Sequence, residues 1–163
     1  MSQTSDAPPV RAAGGPPCGV DDERILTFGL LLEAHARLTR LLDHDLQASD
    51  GISLQTFEVL LRVANAPGGY VTMSELADAV ALTTGGITRL ADRLESDGLV
   101  ERRSCPADRR KVHLTLTDQG TAVLERATEH HLVSLEHHVT SRVHPDDLPV
   151  LRRVLDALRS PPG

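Results

Sequence analysis

The chain has 163 residues, 40% hydrophobic and 25% charged, with a formal net charge of −6. That length suits one globular domain with a floppy end rather than two. The charge, taken whole, argues against wholesale nucleic-acid binding, and two cysteines, Cys18 and Cys105, exclude a disulfide framework and a zinc ribbon. Phe28, Phe57 and Tyr70 are the whole aromatic set, so Leu, Val and Ala must fill the interior, which favours helices over a β-sandwich. The opening Met1-Ser2-Gln3-Thr4-Ser5-Asp6 has no basic n-region and no apolar h-region. No apolar run approaches the roughly 18 residues of a membrane span. The expectation is a cytoplasmic protein with no membrane partner.

Residues 1–19 carry Pro8, Pro9, Pro16 and Pro17 and few large apolar groups, the composition of a disordered tail. One domain is expected over 20–163. Ile25, Leu26, Leu30, Leu31, Leu38, Leu41, Leu42 and Leu46 recur near helical spacing and predict a long helix over about 22–47, with Leu on more than one side. Ser53 is placed to cap a second helix with Leu54, Phe57, Leu60, Leu61 and Ala64 inward, ended by Pro67-Gly68-Gly69. Thr72-Met73-Ser74-Glu75 is a capping box opening a short third helix, Met73 to about Ala81, with Leu76, Ala77 and Val80 inward.

Thr83 or Thr84 caps a fourth helix to about Asp97, where Gly98 supplies a left-handed terminus. Its apolar stripe is Ile87, Leu90, Ala91 and Leu94; Gly85, Thr88, Arg89, Asp92 and Arg93 lie opposite. Leu99–Arg103 and Val112–Leu116 alternate as paired strands around a polar loop. Thr117-Asp118 opens a fifth helix with Leu124, Ala127, Leu132, Leu135 and Val139; Pro145-Asp146-Asp147 starts a sixth with Leu148, Leu151, Val154, Leu155 and Leu158.

Helix, short helix, turn, helix and two strands with a basic loop make a winged helix-turn-helix, over about residues 53–117. The fold class is mainly α with a small β-wing and six helices. An α-helix fits a major groove about 12 Å wide if its outer face is small or polar. Thr84, Gly85, Gly86 and Thr88 suit close approach; Arg89 and Arg93 suit phosphate or guanine contacts. The charge then divides unevenly. Residues 83–117 hold seven basic and five acidic residues, a surplus of +2 that leaves −8 for the rest. Residues 101–111 alone reach +3. A basic loop of that kind can enter a minor groove.

Ser74-Glu75-Leu76-Ala77, Ile87-Thr88-Arg89-Leu90 and Leu94-Glu95-Ser96-Asp97-Gly98-Leu99-Val100 resemble the MarR family of bacterial transcriptional regulators. So does Asp108-Arg109-Arg110 followed by Leu116-Thr117-Asp118-Gln119-Gly120, which matches the wing signature D-x-R-x5-L-T-x-x-G position for position. The resemblance covers roughly residues 22–160. It implies a homodimer joined through the first and last helices (about 22–47 and 118–160) on double-stranded, pseudo-palindromic operator DNA. It implies a repressor released by a small-molecule effector. Carried across, Thr83, Thr84, Gly85, Thr88, Arg89 and Arg93 face the major groove. Arg110 pairs with Asp108 and presents the wing to the minor groove, with Arg109 and Lys111 beside it. His35 is a candidate for the pocket many relatives use between their dimer-forming and DNA-binding parts, with Leu38 and Phe57.

Two other triggers and two other classes stand beside this reading. Cys105 sits among Arg102, Arg103 and Arg109, whose charges lower a thiol's pKa, so a redox-responsive regulator is one alternative. His130, His131, His137 and His138 raise a zinc-responsive regulator as another alternative; pairs seven apart lie about 10 Å apart along a helix and cannot alone hold one ion, so partners would come from the first helix, and no metal or other cofactor is expected. An effector-free architectural DNA-binding protein is a further alternative. No G-x-G-x-x-G, P-loop, H-E-x-x-H or G-x-S-x-G motif is present, and no enzyme is expected.

Overall fold

The computed structural model describes residues 20–79, 84–104 and 112–159. They fall into two units that meet at Ala36–Arg37. One helix, α1 (Glu23–Asp50), runs through both. In the first unit Asp22 starts it: its carbonyl accepts from the Ile25 and Leu26 amides, and its carboxylate takes the Arg24 amide and, bidentately, the Arg24 guanidinium at 2.9 and 2.7 Å. Those bonds satisfy amides that a helix N-terminus otherwise leaves without partners. Ile25, Leu26, Phe28, Leu30, Leu31 and Leu32 are all exposed.

The second unit continues through α2 (Leu54–Asn65), β1 (Tyr70–Thr72), α3 (Met73–Ala79), α4 (Thr84–Ser96), β2 (Val100–Ser104), β3 (Val112–Leu116), α5 (Asp118–His138) and α6 (Leu148–Arg159). Short 3-10 turns at Thr140–Arg142 and Pro145–Asp147 bend the chain between α5 and α6. Among the described residues there are thus six α-helices and one small sheet, the winged-helix arrangement expected. The sheet has three strands rather than two, in antiparallel order β1-β3-β2. The added strand is short, and it exists because β3 offers a free edge: Val71 pairs with Leu114 and Tyr70 with Thr115.

The core gathers apolar side chains from α1 to α5 and from the sheet. Leu46 of α1, Phe57, Val59, Leu60 and Val63 of α2, Leu76 of α3, and Ile87, Leu90, Ala91 and Leu94 of α4 close over Val71, Val100 and Leu114 of the sheet, with Leu124 and Ala127 of α5. Burying each such Leu or Ile contributes about 1.5–3 kcal/mol. Two inward assignments on α2 are corrected. Leu61 and Ala64 are exposed, and Val59 and Val63 are buried in their place. Both stripes have helical spacing, and the packing partner decides between them. Leu132 of α5 and Leu151, Val154, Leu155 and Leu158 of α6 are likewise exposed, by 38–65%. Among the described residues no helix is long and apolar enough to cross a membrane.

Candidate nucleic-acid interface

The helix-turn-helix is set by local bonds that its sequence spells out. Ser53 accepts the Thr56 amide at 3.1 Å and starts α2; Asp43 of α1 takes the neighbouring Leu54 amide at 2.8 Å. At α3 the capping box forms reciprocally. The Glu75 amide donates to Thr72 Oγ1 at 3.3 Å, and Glu75 Oε2 takes the Thr72 amide at 2.8 Å. The carboxylate also favours the positive end of the helix dipole.

α4 ends in a Schellman motif. The Leu99 amide reaches the Leu94 carbonyl at 2.9 Å, the Gly98 amide reaches that of Glu95 at 3.0 Å, and Gly98 sits at φ +70°. The start of α5 is bolted to this corner. Thr117 Oγ1 donates to the Gly98 carbonyl at 2.6 Å and accepts the Gly120 amide at 2.9 Å, while the Thr117 amide donates to the Leu99 carbonyl at 3.2 Å. Gly120 is pressed so closely on this corner that a Cβ there would stand 1.9 Å from the Leu99 carbonyl oxygen. The Leu116-Thr117-Asp118-Gln119-Gly120 half of the signature is therefore a joint between α4 and α5.

With its apolar stripe buried, α4 turns Thr88, Arg89, Asp92 and Arg93 outward. Arg89 and Arg93 lie one turn apart, and neither makes an ion pair among the described residues. The basic residues of β2 behave differently. Arg102 is only 26% exposed and grips α4, with bonds of 2.6 Å to Asp92 and 2.6 Å to Glu95. Burial works against its charge, but the two carboxylates outweigh that and raise its pKa. Arg103 pairs with Glu101. Of the four described cations in the basic surplus, Arg102 and Arg103 are thus paired within the chain. No local pattern signals this, because Arg102 is ten and seven residues from its partners and only the strand register faces it toward α4.

Thr84 and Gly85 form the first turn of α4. Thr83, Asp108, Arg109, Arg110 and Lys111 lie outside the described residues, as do Cys18 and Cys105, the tail 1–19 and Val80. Of the three effector candidates, His35 is exposed in the first unit. In the second, Leu38 is half-buried and Phe57 is 3% exposed in the core. The Phe57 ring meets that of His131 at 4.6 Å between centroids.

The α5 histidines take separate roles. His130 and Arg126 both bond the Asp50 carboxylate, at 2.9 and 3.0 Å, and the Asp50 side chain is 0% exposed. Burial raises the Asp50 pKa, but hydrogen bonds from His130, Ser49 and Arg126 outweigh it and hold it below the usual carboxylate range. His138 bonds Asp45 at 2.9 Å. The Ser134 hydroxyl, ahead of His138, lowers the Asp45 pKa against the opposing effect of burial. His131 has a buried Nδ1 without a hydrogen-bond partner, and burial lowers its pKa. Antiparallel pairing therefore ties the end of α1 to α5. Among the described residues no three His, Cys, Asp or Glu side chains gather as metal ligands.

Comparison with known proteins agrees with this architecture. The MarR family model matches residues 50–111, from the end of α1 to past β2. The transcriptional regulator PecS of Dickeya dadantii is 30% identical over 137 residues, 83% of this chain and 81% of its own. Sco3205, a MarR family regulator of Streptomyces coelicolor solved in complex with DNA, superposes with a TM-score of 0.76 at 29% identity, over 84% of this chain and 89% of that one. A mutant MarR of E. coli complexed with operator DNA gives 0.74 at 29% identity, over 85% and 97%. A fold of this order, a helix-turn-helix with two outward arginines and a jointed wing, and relatives of this coverage together place the chain in the MarR family of DNA-binding transcriptional regulators.

Proposed function

We propose that the chain is a homodimeric, sequence-specific repressor that works in the cytoplasm and is released from a pseudo-palindromic operator by a small molecule. The observation that carries this is the outer face of α4, where Thr88, Arg89 and Arg93 stand exposed on a helix whose other side is locked into the core. Relatives of comparable fold solved on DNA support the same use of that face. Thr83, Thr84 and Gly85 bring the start of α4 close to base edges. Arg89 and Arg93 supply base or phosphate contacts. Asp108, Arg109, Arg110 and Lys111 make the minor-groove wing. Leu-rich faces on α1, α5 and α6 hold the second copy. The effector acts through His35, Leu38 and Phe57.

The test begins with genome-wide binding sites and continues by fluorescence titration on the duplexes recovered. Arg110→Ala is expected to weaken binding on all sequences and to lower the salt slope by about 1 for each phosphate it no longer neutralises. Unchanged affinity and slope would remove the wing from the interface. Arg89→Ala is expected to change base preference; an equal loss on every sequence reduces it to a phosphate contact. Genes beside the binding sites indicate the effector class, and addition of such compounds is expected to release the DNA.

A further inference from the structure

Arg102 looks, by sequence, like one more cation for DNA. Its setting says otherwise. In the β2–β3 register Arg102 pairs with Leu114, and Val100 pairs with Leu116. Val100 and Leu114 are buried, so the pleat turns Arg102 to the same inner face, toward α4. There its guanidinium spans two carboxylates one turn apart on α4, through separate nitrogens: Nη2 to Asp92 and Nη1 to Glu95. Its own amide donates to Glu95 Oε1 at 3.2 Å. Backbone and side chain of one strand residue thus hold the C-terminal half of α4 at two points, next to Arg93. All three hydrogen bonds of the clamp run between α4 and the first half of the wing.

We propose that Arg102 is a positioning residue for DNA recognition, a clamp that fixes the recognition helix to the wing so that both reach their grooves in one geometry. It does not itself contact phosphate. The same clamp offsets one of the two negative charges that Asp92 and Glu95 would otherwise carry on α4 beside the DNA. A charge-assisted fork on two acceptors is geometrically demanding, which suits a fixed orientation rather than a loose attraction. This inference rests on the DNA-binding reading of α4 above, and its experiment separates the two.

Two variants of the full-length chain change the charge in opposite directions while both break the clamp. Arg102→Gln makes the reading head more negative by one. The double variant Asp92→Ala with Glu95→Ala removes the acceptors and makes it more positive by two. If Arg102 serves only to add positive charge, the first weakens binding and the second tightens it. A positioning role weakens both, by about tenfold or more on a duplex recovered from chromosomal DNA by the wild-type protein. It also leaves the salt slope of Arg102→Gln as in the wild type, whereas removing a cation that touches phosphate lowers the slope by about 0.9 per phosphate. Tighter binding by the double variant, a lowered slope for Arg102→Gln, or unchanged affinity in both overturns the proposal.

A second readout needs no DNA. Amide hydrogen exchange is expected to quicken across Arg89–Ser96 in both variants and to stay unchanged in the Val59–Val63 stretch of α2, which reports that the core remains folded. Unchanged exchange in α4 overturns the clamp. If the wild-type chain captures no DNA while exchange responds as expected, the clamp stands and the DNA-binding reading falls.

Discussion

The corner where α4, β2 and α5 meet and the terminal helices carry opposite kinds of design. At the corner every close approach is answered within the chain: Thr117 and Gly120 bolt α5 to the Gly98–Leu99 turn, and Arg102 grips Asp92 and Glu95. On α6 and on the α1 segment of the first unit, large apolar side chains stand in the open, Leu158 by 65% and Leu30 by 68%. Neighbouring exposed apolar side chains along a helix point to an unfilled contact rather than to chance. The difference teaches that, among the described residues, the corner finds its partners within one copy of the chain, while the terminal helices leave apolar faces uncovered in it.

The comparison breaks most visibly at Gly120. Replacing it with Val should cost about 3 kcal/mol or more, at the upper end of overpacking penalties, because a Cβ would strike the Leu99 carbonyl. Urea denaturation reads this as a fall in midpoint with operator binding abolished alongside. Next in size is the partner face. Leu155→Asp is expected to leave helix content intact, to shift the sedimenting mass from twice to once the chain mass, and to weaken operator binding by about 100-fold because bivalency is gone. A variant that still sediments as a pair would show that α6 does not hold the second copy.

A smaller effect comes from the titrating groups between α1, α2 and α5. His131 is held below its ordinary pKa of 6.5 by burial, so the folded chain binds fewer protons there than the unfolded one. Its contribution to stability is full above about pH 6.5 and is lost as pH falls through the lower folded value. Asp45 and Asp50 are held below the usual 3.8, so their contribution persists to about pH 4 and is lost only below it. Denaturation midpoints between pH 7.5 and 5 should therefore decline gently. His131→Leu should flatten that decline and leave the acid limb below pH 4 in place. The smallest expectation is Arg24→Ala: its pair with Asp22 is open to water, and no change in melting temperature is expected.

Much of this is legible in the sequence because it is local. Ser53, Thr72–Glu75, Gly98 and Thr117 act on amides within a few residues, so the caps and turns can be read where they stand. What escapes reading depends on distant partners. β1 has only three residues, Tyr70–Thr72, too few to show alternation, and it becomes a strand only against β3. The choice of Val59 and Val63 over Leu61 and Ala64 on α2 follows from which face meets α5 and the sheet. Asp45 finds His138, and Asp50 finds His130, across 93 and 80 residues. Arg102 reads as a free cation until the strand register turns it inward.

The Thr117 bonds to Gly98 and Leu99 have a consequence for how such a molecule can change over time. They close the chain at the base of β2 and β3, so the segment between residues 99 and 117 leaves and returns at a fixed point. A loop closed at its base can be lengthened at little entropic cost and without moving what it springs from. This holds for the segment between β2 and β3 and not for the strands themselves, because Val100 and Leu114 belong to the core and Arg102 grips α4. The length of that segment can therefore change while α4, α5 and the core beneath stay as they are.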